Sequence, residues 1–190
     1  MRRLTEEQET LVARIRKVEG FEDFIRGASF AKLQQVASEG PVIVVNHSQF
    51  RCDALILLPR EQEPCMCVPL DKDWWRDALE LWRDLLLARY ENKNCIRTLK
   101  YDEALRRVMK ALWDRVVSKV VEKLRELGIS DGSRIWWCLT SLLPAFPFHA
   151  AGPNRNANGD MRYLLDDYIS SYTPTLTSLI TARMNVRVGT

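Results

Sequence analysis

Glycine and proline are scarce in this chain, eight of each in 190 residues. That scarcity excludes a collagen-like repeat or a low-complexity tract. Excess charge of either sign is also missing, since 28 Lys plus Arg face 25 Asp plus Glu. Such a balance carries no dedicated nucleic-acid footprint. The five cysteines, at positions 52, 65, 67, 95 and 138, are odd in number and sit in apolar surroundings. They read as reduced, buried thiols and not as a disulfide framework. Residues 135–154 form an uncharged stretch, but Pro144, Pro147 and Pro153 interrupt it. A proline in a helix interior costs about 3 kcal/mol, so no spanning helix and no membrane partner is expected. Charged residues follow Met1 at once, where a secretory signal would need an apolar core of about 7–15 residues. A cytoplasmic protein is the expectation.

Hydrophobic residues make up 46% and charged residues 28%. A chain of this size buries roughly 70% of its unfolded surface, enough for a full core. Three regions are expected: an amphipathic helical leader over 1–38, an α/β region over 39–183 and an irregular tail over 184–190. Thr5 and Gln8 have capping-box spacing, and Leu11, Val12, Ile15 and Val18 follow at helical intervals. A second helix is expected from Ser29 to near Gly40. Val42–Val45 is a β-branched run suited to a buried strand. With residues 52–58 it predicts a hairpin or a pair of neighbouring core strands. A further strand is expected over 65–70.

Two helices should follow, one carrying Trp74, Ala78, Trp82 and Leu85, the other running from about Thr98 to Leu127. Gly128 stands where a left-handed C-cap belongs. Ile135–Leu139 reads as a strand, 165–173 as another, and Pro174 opens a helix reaching about Arg183. Strands separated by helices predict a layered α/β fold with a sheet flanked by helices.

Several short motifs occur in order along the chain. They are Phe21-Glu22-x-Phe24, Ser29-Phe30-x-x-Leu33-Gln34, residues 39–46 (EGPVIVVN) and Arg51-Cys52-Asp53-Ala54-Leu55. Further on stand Arg134-Ile135-Trp136-Trp137-Cys138, Pro147-x-His149-Ala150-Ala151-Gly152 and residues 168–176 (YISSYTPTL). Together they resemble fungal CHAT-domain proteins, from about residue 18 to residue 182. The resemblance implies a caspase-like α/β fold in the clan of caspases and separases, and a domain that commonly follows tetratricopeptide-type repeats. In active members it implies a His–Cys peptidase dyad, carried by a His-Gly and a Ser-Ala-Cys motif. This sequence has neither: Ser48 follows His47 and Ala150 follows His149. The match is to the N-terminal part of the domain only, an incomplete caspase-like sheet, and no catalytic role is carried over.

Among the residues themselves, Cys52 and His149 are the fallback pair for thiol chemistry, because a thiol needs a nearby base or cation to ionise. The plainer reading has Cys52 as a small core hydrophobe and His149 bracing a strand end. Cys65-x-Cys67, with Cys95, Cys138 or His47 at a distance, lacks the second ligand pair of a structural zinc site. Arg51 and Asp53 suggest a buried pair fixing a turn. The cations of the long helix alternate with acids, as on a solvated face, and the tryptophans, Trp136 and Trp137 included, fit core packing. The expected function is therefore a non-catalytic structural or regulatory interaction module without metal or cofactor. Its partner would be a tetratricopeptide-type repeat protein or the remaining half-domain, with self-association through an open sheet edge. The alternatives are a cysteine peptidase whose catalytic half lies outside this chain, and a thiol hydrolase using Cys52 and His149.

Overall fold

The computed structural model describes residues 2–21, 24–25, 29–60, 62–91, 99–155 and 159–188. Strands β1 (Val42–His47), β2 (Cys52–Leu57) and β3 (Cys65–Pro69) form an antiparallel meander. Strand β4 (Arg134–Leu139) lies parallel to β1 on its other side, and β7 (Ile169–Tyr172) parallel to β4. The five-stranded sheet therefore runs β3-β2-β1-β4-β7. Continuous apolar runs in β1, β2 and β4 suit strands covered on both faces.

One face of the sheet carries Ile43, Val45, Cys52, Ala54, Ile56, Ile135 and Trp137. It packs on α3 (Trp74–Glu91) and on a long helix made of α4 (Leu99–Leu112), a π-turn (Trp113–Val117) and α5 (Ser118–Glu126). The expected long helix is thus present, with a π-turn inside it. Ala104, Val108, Leu112, Val116, Val120 and Leu124 are all buried at steps of four. At 3.6 residues per turn each such step drifts about 40°, or about 200° over the series. The wider π-turn absorbs about one extra residue and brings α5 back onto the sheet. Gly128 (φ 75°) ends α5, with Ile129 N–H bonded to Leu124 O at 2.9 Å and Gly128 N–H to Arg125 O at 3.0 Å. This is a Schellman cap, as the glycine's position predicts.

The opposite face carries Val42, Leu57 and Cys138 and is covered by Val36, Ala37, Leu179 and Ile180. These come from a 3-10 turn (Gln35–Glu39) that continues α2 (Phe30–Gln34), and from α7 (Leu176–Val188). A short ribbon pairs β5 (Asn154–Arg155) with β6 (Met161–Arg162), and α6 (Leu164–Asp167) precedes β7.

Three expectations need correction. The N-terminal helix α1 spans Arg2–Ile15, so Thr5 lies within it and is not its cap. The apolar stripe of α1 stays open, with Leu11 55% exposed, and among the described residues none of α1 joins either buried cluster. Residues 165–167 are helical, because the Asp166 carboxylate accepts the Tyr163 N–H at 2.8 Å and starts a turn. The last helix does not stop at Arg183 but runs to Val188, so most of the expected irregular tail is helical backbone.

Candidate functional site

Cys52 and His47 are the last cross-strand pair before the β1–β2 turn and so share one sheet face. Both are buried, and no hydrogen bond joins them: the Cys52 thiol donates to Ser48 O at 3.5 Å. The His47 ring lies edge-on to Trp74 at 6.3 Å, its ring nitrogens facing the Trp74 and Trp75 backbone without well-aligned hydrogen-bond geometry. Burial holds its pKa below the ordinary 6.5. Its backbone N–H is fixed by Thr140 Oγ1 at 2.9 Å, and that hydroxyl donates in turn to Val45 O.

On the other face at the same turn, Arg51 Nε meets Asp53 Oδ2 at 2.6 Å. Only Asp53 is buried. The Arg51 side chain is 67% exposed, which corrects the expected buried pair. Register sets Cys65 against Leu57 and Cys67 against Leu55, so both thiols share this face, as alternation predicts. Cys67 is nevertheless exposed, and its sulfur stands 3.7 Å from Asp53 Oδ1 and 3.6 Å from Arg51 Nη2. Cys95 lies outside the described residues. No group of three or more metal-binding side chains occurs among the described residues.

Trp136 and Trp137 point to opposite faces. Trp137 packs on Phe148 (ring centroids 5.1 Å apart) and donates Nε1–H to Ser170 Oγ at 3.2 Å. Trp136 lies under the Arg183 guanidinium, 5.2 Å from the ring centre. That guanidinium also bonds Val36 O and reaches Glu39, which ties α7 to the 3-10 turn and the sheet.

His149 occupies a 3-10 turn (Phe148–Ala150) and meets the Tyr172 hydroxyl twice, through its backbone N–H and through Nδ1, each at 2.9 Å. The phenol oxygen accepts the backbone proton, and a second hydrogen bond joins the hydroxyl to Nδ1, with the donor set by the imidazole tautomer. Burial raises the Tyr172 pKa, which keeps the phenol protonated. Both residues line a groove of about 640 Å³ between α3, α4 and the 143–150 loop. Trp82, Leu85, Leu105, Met109 and Phe146 supply apolar walls, and Arg89 stands among them.

Cys52 and His149 are not brought together. His149 is bonded to β7, and β2 lies three strand positions away in the sheet order. At about 4.8 Å per strand that is roughly 14 Å. Sequence reasoning missed Tyr172 and Arg89, and weighed His47 only as a distant metal ligand. His47 was legible in principle, because alternation from Ile43 and Val45 places residue 47 on the same inward face. Tyr172 and Arg89 come together only through the tertiary fold, and no local signal marks them. No helix among the described residues is long and apolar enough to cross a membrane. No protein-family model matches the chain, and no curated protein matches it.

Proposed function

We propose that this chain is a non-catalytic interaction module, resembling the N-terminal part of a CHAT-like α/β domain, that accepts a strand from a protein partner at β7. The observation carrying this reading is the asymmetry of the two sheet edges. The β3 edge ends in Pro69 and follows Pro64, residues without an N–H to offer a neighbour. The β7 edge reads Ile-Ser-Ser-Tyr, with neither charge nor proline, and Ile169 and Tyr172 are 52% and 44% exposed. Ile169 N–H and Thr173 N–H bond to Ser133 O and Trp137 O, on the β4 side. Alternation then turns the Ser170 and Tyr172 amides outward. A neutral, unprotected edge of this kind is a template for strand addition.

The partner classes that suit the resemblance are a tetratricopeptide-type repeat protein and a complementary half-domain, and a second copy of the chain fills the edge when neither is present. The reducing cytoplasm suits the four described cysteines, which are all free thiols. Sedimentation across a concentration series, with hydrogen exchange at Ser170 and Tyr172, tests this function. Association should protect those two amides, and Ile169→Lys should return the chain to monomer. A wild-type chain that stays monomeric at high concentration, with both amides exchanging freely beside the candidate partners, overturns it.

A further inference from the structure

The α3–α4 groove meets the sheet edge at Tyr172 and has a chemistry of its own. We infer that it is a binding site for a small amphipathic anion, an apolar chain ending in one carboxylate. Its volume of about 640 Å³ falls within the roughly 300–1,000 Å³ usual for small-molecule sites. The walls are apolar, and among the described residues that line the groove Arg89 carries the only formal charge and no carboxylate is present. Among the described residues Arg89 has no ion-pair or hydrogen-bond partner, unlike Arg107 and Arg115 on the neighbouring helix, which pair with Asp84 and with Asp71 and Asp77. A guanidinium beside apolar surface, with no acid of its own, lacks what its planar fork binds best, a carboxylate. His149 lines the same groove, its ring held by the Tyr172 hydroxyl. A single formal charge in the described lining matches a monoanion. A phosphate dianion would leave charge uncompensated against apolar walls.

Decanoate, kept below its micellar concentration, is the probe, with decanol as the neutral control, each titrated calorimetrically into the full chain. Decanoate should bind saturably and one to one, and decanol at least tenfold more weakly. Arg89→Gln should weaken decanoate about tenfold, the scale of one charged hydrogen bond, and Arg89→Lys should recover part of the loss. Leu86→Glu, at a position 43% exposed, places a like charge in the groove and should abolish decanoate binding while circular dichroism stays unchanged. Absence of saturable binding, equal affinity for decanol, or an Arg89→Gln variant within twofold of wild type each overturns the site. This inference does not depend on strand addition at β7, and Ile169→Lys should leave decanoate binding unaltered.

Discussion

At Gly40 the backbone adopts φ 131°, and a Cβ added there would lie 2.2 Å from Arg134 O. The glycine lets the chain enter β1 while touching the start of β4. Gly40→Ala is expected to lower stability by about 1–3 kcal/mol, from backbone strain and overpacking together, as urea unfolding would measure. His47 makes a second prediction. Its pKa is lowered in the folded state, so the unfolded chain binds the proton more readily. Stability is then unaffected well above the ordinary 6.5 and falls as pH drops below it, levelling off beneath the folded pKa. The slope should approach at most about 1.4 kcal/mol per pH unit for one proton. Unfolding free energies from pH 8 to 5 would show it, and His47→Gln should remove that component of the slope even if the variant is less stable throughout.

Among the elements, α3 and the long helix are joined by ion pairs as well as apolar packing. Arg115 and Lys119 do not pair along their own helix but reach Asp71, at 3.2 and 2.8 Å, and Arg115 also meets Asp77 at 2.6 Å. Hydrogen bonding from Lys119 and Arg115 holds the Asp71 pKa below its usual value. The benefit is therefore present at neutral pH and disappears as pH falls through that lowered pKa. The groups are partly exposed, so Asp71→Asn should cost only about 0.5–1 kcal/mol at pH 7 and nothing in strong acid, read as a difference between two urea titrations. The interleaved charges were legible as a solvated face, yet spacing alone could not show that some bridge two helices. Long periodic elements such as β1, β2, β4 and the helix ending at Gly128 were readable because each carries its own hydrophobic period and cap. The short turn at Leu164–Asp167 was not, since it rests on side-chain bonds, the Tyr163 N–H to Asp166 and Arg162 to Asp167 among them. The groove was not legible either, because its walls converge from residues 82 to 172.

For the molecule as a whole, two layers of unequal strength enclose the sheet. Among the described residues the α3–α5 side supplies most of the buried ones, whereas the α2–α7 side rests on a small cluster and on Arg183. Arg183→Ala removes the bonds to Val36 O and Ser38, the Glu39 contact and the stack on Trp136. Exchange protection across residues 176–183 should fall about tenfold or more, the effect of losing about 1.5 kcal/mol, while that of β1 and β4 stays near wild type. Equal loss of protection in both regions would mean that α7 opens only with the entire fold.

The sheet's central strand takes one neighbour from nearby in sequence and one from far along it. Residues 42–69 can close as a meander as soon as they leave the ribosome, but Val42 waits for Trp136 and Val45 for Leu139. During synthesis one flank of β1 therefore stays bare while more than 60 further residues are added. At about 5–20 residues per second that interval lasts several seconds. The nascent chain is thus open to chaperone capture along the flank of β1 that β4 later fills.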